Sequence, residues 1–493
     1  MLFNSSIFIF AFLPLAFAGY FLLCRHSSQT LAHGFLVLAS LFFYSWWNVV
    51  YLPLIVGSMV VNFYLGQQLR SGQEGGRRHN RWLLISGVVA NLGLLGYFKY
   101  TDFFLENLSL LSDAHFEPLN LALPLAISFF TFQQIAYLVD SYRGETEENN
   151  FLTYAVFVSF FPQLIAGPIV HHKEMMPQFA NQANRHIIPE NIVRGLFIFA
   201  IGLFKKVIIA DSFAVWANAG FADTEALTIY QGWATSWSYT FQLYFDFSGY
   251  TDMAIGLALL FNIVLPLNFN SPYKARDIQD FWRRWHMTLS RFLRDYVYIP
   301  LGGNRHGRFS TYRNLMATFV LGGIWHGAGW TFVFWGVLHG LALCVHRLWH
   351  RLGLRLWGWL GWLITINFVN LAWVFFRAEN WGQAINLLRA MFGMSANERY
   401  DFSIQFVDTL SRWLNTPVYD WVPYRFRTVV VPEQTILACV LMLAMVLVFR
   451  NNNRFIKEQL PSTTMMWVAA VLFGCSVIQS VLSTTEVFLY FNF

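Results

Sequence analysis

Charge is what this chain has least of: Asp, Glu, Lys and Arg make up 12% of its 493 residues, while 56% are hydrophobic. Soluble domains carry about 25% charged and about 45–50% apolar residues, so this apolar excess cannot be hidden in one water-soluble core. Cysteine is almost as scarce. Cys24, Cys344, Cys439 and Cys475 are scattered in or beside apolar segments without metal-ligand spacing, which indicates neither a disulfide framework nor a zinc site. HExxH is missing, and GxSxG, P-loop and Rossmann fingerprints are missing where a strand-to-helix turn would be required. Zinc proteolysis, serine hydrolysis and nucleotide hydrolysis are set aside accordingly. No repeat, low-complexity tract or flexible linker is visible.

What the chain does have is long uncharged runs. A helix needs ~20 apolar residues to cross the ~30 Å hydrocarbon layer. Residues 2–23, 31–69 (two passes, broken near Asn48 and Pro53), 82–98, 151–170, 253–273, 314–345, 356–376, 435–449 and 462–485 lack all four charged residue types. Less clean candidates lie at 119–139, 192–209 and 226–245. The expected fold is an all-α polytopic transmembrane bundle of about 11–12 spans. The first run has neither a basic n-region nor a small-residue cleavage site before Arg25, so it reads as a retained helix rather than a secretory signal.

The net charge of +6 would suggest nucleic acid in a soluble protein. Here the basic residues fall between the hydrophobic runs and report topology. Loop 70–81 carries four arginines against one acid and is placed in the cytoplasm. Counting passes from it puts both termini outside, with Asp102, Glu106, Asp113 and Glu117 external and Lys205 and Lys206 internal. Segment 274–313, with nine basic and three acidic residues, also falls inside. A single crossing by 314–345 would place the basic stretch 346–355 outside, against the charge bias, so a hairpin that enters and returns is expected. The connection 377–433 reads as an external subdomain or a loop over the bundle. Aromatics such as Phe42, Phe43, Tyr44, Trp46 and Trp47 gather at segment ends, as interfacial anchors do.

Two segments depart from ordinary passes. On a helical wheel, 281–297 places Phe281, Trp282, Trp285, Leu289, Phe292, Leu293 and Tyr296 on one arc of about 120°. Arg283, Arg284, Arg291 and Arg294 face the other way. Such a helix should lie at the inner membrane surface, arginines toward headgroups or an anionic ligand. His286 falls at the edge of the arc, where a plain interfacial histidine is an equal reading. In 314–345, Gly322, Gly323, Gly327 and Gly329 surround His326 and suggest a broken or re-entrant element, tolerated at membrane depth only when buried or lining a cavity. A continuous helix would turn His339 about 140° away from His326; a break leaves their relation open.

Histidine can remove a proton from a hydroxyl and return it to a leaving group, which is what acyl transfer demands. His326 and His286, from two segments, meet that demand if brought together. Broken helices and buried polar groups are also the signature of a transporter, with Asp246 and Asp252 in YFDFSGYTD (residues 244–252) as an ion site. The plain alternative has these acids capping or linking two helices around Ser248 and Gly249; it is favoured for Asp252 and open for Asp246.

These phrases are similar to those of a known family. LGYFKY (95–100), PLAISFFTFQQIAY (124–137), FPQLIAGPI (161–169), YFDFSGYTDMAIG (244–256), FWRRWHMTLSRFLRDYVYIPLGGNR (281–305) and GGIWHGAGWTFVFWGVLHG (322–340) resemble the membrane-bound O-acyltransferases. The branch is the bacterial one typified by the membrane subunit of alginate O-acetylation. The resemblance runs from Phe3 nearly to the C-terminal FLYFNF and is weakest at 394–431. It implies a helical bundle with re-entrant elements around a tunnel, with His326 of the WHG phrase catalytic and His286 of RRWH at the second active-site position, held by Asn in many eukaryotic members. Arg283, Arg284, Arg291, Trp285, Trp325, Asp246 and His339 are candidates for contacting substrate or donor. The resemblance further implies no resident cofactor or metal, acetyl-CoA as cytoplasmic donor, a periplasmic partner protein through which an exopolysaccharide is O-acetylated, and residence in the bacterial inner membrane.

Overall fold

A computed structural model of the chain describes residues 1–71, 77–112, 114–146, 150–395, 434–449, 451–457, 459–482 and 489. Helix is the only regular structure among them. The N-terminal part forms α1 (Leu13–His26), α2 (Gln29–Ser45), α3 (Leu52–Ser71) and α4 (Arg77–Leu111). The expected break in 31–69 falls between α2 and α3, where the Asn48 side chain accepts from the Val50 amide at 3.0 Å. Pro53 then sits in the first turn of α3, where its missing N–H leaves no bond unmade.

α5 (Ile127–Arg143), α6 (Phe151–Ser159), α7 (Phe161–Leu164), α8 (His172–Ala180), α9 (Pro189–Phe204), α10 (Asp211–Ala222) and α11 (Ile229–Leu260) follow. Next come two short helices, α12 (Ile278–Trp282) and α13 (Met287–Leu293), then α14 (Gly307–His326), α15 (Trp330–Arg351), α16 (Gly358–Arg377) and α17 (Trp381–Met391). The chain closes with α18 (Gln434–Val448), α19 (Arg454–Lys457) and α20 (Thr463–Leu482).

Six helices among the described residues are long and apolar enough to cross a membrane: Phe8–His26, Val49–Ser71, Asn80–Leu111, Trp330–Arg351, Gly358–Arg377 and Thr463–Leu482; Gln29–Ser45 and Gln434–Val448 are apolar but shorter. Two expected passes are not passes. Residues 151–170 break after Ser159 into α6 and α7, and Tyr154 to Leu164 are buried in protein rather than facing lipid. Residues 253–273 are the end of α11 plus an irregular passage that begins where Asn262 turns left-handed. Freedom from charge marked these stretches as membrane-like; what they face is other helices.

α11 is the axis of the bundle. Its N-terminus is closed by a capping box between Thr228 and Gln231, which satisfies two otherwise orphaned amides. Along it, Gly249 meets Gly202 and Gly256 meets Gly195 of α9, so closely that a Cβ on Gly256 would lie 2.6 Å from the Gly195 carbonyl oxygen. Small residues let membrane helices approach backbone to backbone. The same crossing buries two ion pairs, Lys205–Asp252 at 2.6 Å and Lys206–Asp246 at 2.8 Å, with Lys206 also 2.6 Å from Asp211. Asp246 and Asp252 therefore cap no helix, since α11 runs unbroken through them; each ties α11 to the neighbouring helix through a lysine, beside the point where Gly249 meets Gly202. In the 377–433 connection, Ala384, Leu387, Ala390 and Met391 of α17 are buried and Gln383 Nε2 donates to the Phe221 carbonyl at 2.7 Å. That portion lies against the bundle, while 396–433 falls outside the described residues.

Candidate active site

Segment 281–297 is not one helix. α12 stops at Trp282, a turn follows, and α13 restarts after His286, whose backbone is left-handed at φ 43°, ψ 54°. A non-glycine residue there costs about 1–2 kcal/mol, and Asn268 holds it in place. The Asn268 carbonyl accepts the Met287 amide at 3.0 Å, and its Oδ1 accepts from Thr288 Oγ1 at 2.9 Å and the Thr288 amide at 3.3 Å. The turn points Trp285 and His286 inward together. Phe281, Trp282, Leu289 and Phe292 are buried too, so the aromatic arc faces the protein core rather than lipid.

The same bonds define the state of the His286 ring. Asn268 Oδ1 already accepts from an amide, so it is an oxygen, and His286 Nδ1 at 3.1 Å must donate to it. The tautomer leaves Nε2 with its lone pair, and no described residue bonds that atom.

His326 is the last residue of α14 and is 3% exposed. After three intervening residues, at Trp330, the chain starts α15, which packs antiparallel to α14. The break at 327–329 is what the glycines announced, but the reason is space and not backbone freedom, since Gly327 and Gly329 are extended at φ −161° and −170°. A Cβ on Gly336 would strike the Phe319 carbonyl, and one on Gly327 the ring of Phe332. The two arms meet because these positions have no side chain.

Around the hairpin tip the imidazoles are spaced by indoles. The Trp325 centroid is 4.8 Å from His326 and 6.3 Å from His286; that of Trp335 is 5.2 Å from His326 and 4.7 Å from His339. Phe376 of α16 closes the His326 side at 5.0 Å. His339 accepts at Nδ1 from Trp282 Nε1 at 3.2 Å, so its proton is on Nε2. Thus His326, His286, His339, Trp325 and Trp285 belong to one buried aromatic cluster. Asp246 is bound to Lys206 instead, and its neighbour Phe247 faces the His286 ring at 4.7 Å.

The arginines divide. Arg291 clasps Glu174 with Nη2–Oε2 at 2.9 Å, Arg284 pairs with Asp280 at 2.8 Å, and Arg283 is exposed with no ion pair among the described residues. Beyond α13 lies a polar cavity of about 240 Å³, lined by Asp140, Arg143, Glu145, His171, Lys173 and Tyr296 among others. The Tyr296 hydroxyl donates to Asp140 at 2.8 Å; burial first, and then the Asp140 carboxylate, raise its pKa above the ordinary phenol value. The hydrogen bond to Glu145 raises that of Lys173. From this cavity a column of rings leads inward: Tyr296 to Phe292 at 4.9 Å, Phe292 to Phe132 at 4.2 Å, Phe132 to Trp325 at 5.0 Å.

Sequence reasoning did not find Asn268, Trp335, Lys99 or Tyr100. Lys99 Nζ donates to the Trp325 carbonyl at 2.6 Å and Tyr100 Oη to that of Ile324 at 2.6 Å. Its signal was present, a lysine at the end of the uncharged run 82–98 in a helix that continues to Leu111.

The family model for MBOAT, the membrane-bound O-acyltransferase family, matches residues 139–380. That stretch contains α11 to α15 and with them all three histidines of the cluster. Among curated relatives, the peptidoglycan O-acetyltransferase of Helicobacter pylori is 49% identical over 527 aligned residues, covering 100% of this chain and 98% of the relative. The "Probable alginate O-acetylase AlgI" of Pseudomonas aeruginosa is 42% identical, covering 80% of this chain and 75% of its own. A teichoic acid D-alanyltransferase of Bacillus subtilis is 28% identical over 48% of this chain. With a buried histidine at the tip of a broken helical hairpin, and likeness spanning the whole chain, this multi-pass protein belongs to the membrane-bound O-acyltransferase family and is an O-acyltransferase.

Proposed function

We propose that the protein takes an acetyl group from a cytoplasmic thioester, acetyl-CoA, and delivers it through the bacterial inner membrane to a periplasmic partner that O-acetylates a cell-envelope polysaccharide. The observation that carries this reading is the pairing of His326 with His286 across Trp325. His326 accepts the acceptor's proton as general base or acyl relay, and His286, with its open Nε2, positions substrate. Asn314–His326 spans 13 residues, about 20 Å of helix, against a ~30 Å hydrocarbon layer. With Arg308 and Arg313 at the cytoplasmic headgroups, the hairpin tip lies within the membrane, where a relay across it is needed.

The polymer is proposed from the relatives. Likeness to the peptidoglycan enzyme extends over both whole chains, whereas that to the alginate enzyme stops at 80% and 75%. Peptidoglycan is therefore the acceptor proposed here, in place of the exopolysaccharide expected at first. The reading of a transporter without covalent chemistry gives way to family membership, and Asp246 and Asp252, its would-be ion site, both hold lysines.

The test is turnover of radiolabelled acetyl-CoA by purified protein in detergent, with His326→Ala alongside. Wild-type protein should release or transfer the acetyl group, His326→Ala should lose it at unchanged membrane abundance, and muropeptides from cells carrying the variant should lose O-acetylation. An inert wild-type protein with acetyl-CoA, or an active His326→Ala, would overturn the mechanism. Fully acetylated muropeptides would overturn the acceptor alone.

A further inference from the structure

A helix leaves its last carbonyls without amide partners. At a surface, water takes them; in a membrane interior nothing does, and each group left unsatisfied there is costly. α14 ends at His326 inside the protein, with extended residues after it, so Ile324, Trp325 and His326 present such carbonyls at the point where the candidate base is carried.

All three are met by two consecutive side chains of α4. Tyr100 Oη donates to the Ile324 carbonyl at 2.6 Å; Lys99 Nζ donates to the Trp325 carbonyl at 2.6 Å and to that of His326 at 3.2 Å. Lys99 also reaches Ser128 Oγ at 3.4 Å on α5 and lies 5.9 Å from the Trp325 ring centroid. A cation at a helix C-terminus complements the negative end of the helix dipole, and an ammonium with three donors can hold two adjacent carbonyls at once. Tyr100 alone cannot do this.

We propose that Lys99 is a positioning residue for His326: it caps α14 from another helix and so fixes the backbone that carries the imidazole. The inference rests on the role assigned to His326 above, and it adds a residue that touches no substrate. Loss of the ammonium frees two carbonyls, and the tip must rotate to find other partners. A shift of about 1 Å in a catalytic group costs up to about 100-fold in rate. Arginine keeps charge and donors, so Lys99→Arg should keep most of the positioning.

The experiment measures kcat and KM for acetyl-CoA turnover in purified full-length Lys99→Met, Lys99→Arg, Tyr100→Phe and His326→Ala. Lys99→Met should lose roughly ten- to a hundred-fold in kcat with KM within about two-fold, Lys99→Arg should recover most of it, and Tyr100→Phe should lose less. A general packing defect would not spare KM and be rescued by arginine. Wild-type kcat in Lys99→Met, or equal losses in monodisperse Lys99→Met and Lys99→Arg, overturns the proposal. Should Lys99→Met not survive purification, Tyr100→Phe decides: a kcat loss at constant KM supports positioning from α4, and wild-type kcat refutes it. An active His326→Ala would instead sink the underlying mechanism, whereas an inactive one beside a fully active Lys99→Met would sink only the role of Lys99.

Discussion

Phe132 of α5 and Phe292 of α13 stack face to face, 4.2 Å between ring centroids and 11° between planes. They fill the line between the polar cavity at Tyr296 and the indole of Trp325. If the donor's thioester reaches His326 along this line, the stack must part, and its bulk limits the acyl chain that fits beside it. Phe292→Leu keeps the site apolar while removing the ring and should admit longer chains. Turnover of butyryl-CoA relative to acetyl-CoA is expected to rise several-fold. An unchanged ratio in folded protein would place the donor's route elsewhere.

Asn268 and His286 make the second prediction. Because Asn268 fixes Nδ1 as the donor and holds the left-handed turn through the Met287 and Thr288 amides, Asn268→Ala should disturb tautomer and backbone together. A buried hydrogen bond left unmade costs about 1–3 kcal/mol, so both melting temperature and kcat should fall. His286→Ala should impair transfer with a smaller loss of stability, and His286→Asn should retain part of the activity. A fully active Asn variant beside an inactive Ala variant would exclude acid–base work by His286 and leave it a positioning role.

The arginines of the α12–α13 region separate by what they already hold. Arg291 is engaged with Glu174 on α8, and this half-exposed pair contributes about 0–1 kcal/mol. Its replacement by Ala should lower the melting temperature slightly and leave KM for acetyl-CoA near wild type. Arg283, exposed and without an ion pair among the described residues, is the one available to an anion. Arg283→Ala should raise KM several-fold if it meets donor phosphates; unchanged kinetics with weaker association to anionic vesicles would assign it to lipid.

Scarcity of charge was enough to read the fold class, and clustered glycines were enough to read the break at His326. What could not be read depends on partners remote in sequence. The helical wheel made 281–297 continuous because it cannot see Asn268, whose carbonyl and side chain hold the left-handed turn at His286 between two short helices. Lys99 passed as the end of a hydrophobic run because the carbonyls it holds lie 226 and 227 residues away. His339 stood open as a candidate until its partner, Trp282, was seen 57 residues back. Uncharged runs 151–170 and 253–273 were mistaken for passes for a related reason. Apolar sequence reports burial, and in a bundle this large much of the burial is against protein.

α14 and α15 pack antiparallel, with Gly323 against Phe332, Gly336 against Phe319 and Gly340 against Met316, so residues 307 and 351 end on the same side of the molecule. The basic residues agree: Arg308 and Arg313 open one arm, and Arg347 and Arg351 close the other, so the charge bias assigns both ends to the cytoplasm. Single cysteines at Gln73, His306 and Gly353 should accordingly be shielded from an impermeant thiol reagent in intact spheroplasts and react after permeabilisation, whereas Asn492→Cys should react without it. Background must be low, and of the native cysteines only Cys475 is exposed, so Cys475→Ser is the starting protein. Labelling of Gly353→Cys in intact spheroplasts while His306→Cys stays protected would mean that α14 and α15 do not return to the same face. The hairpin tip would then no longer be placed within the membrane by its charged ends, and the relay role of His326 would lose its geometric support.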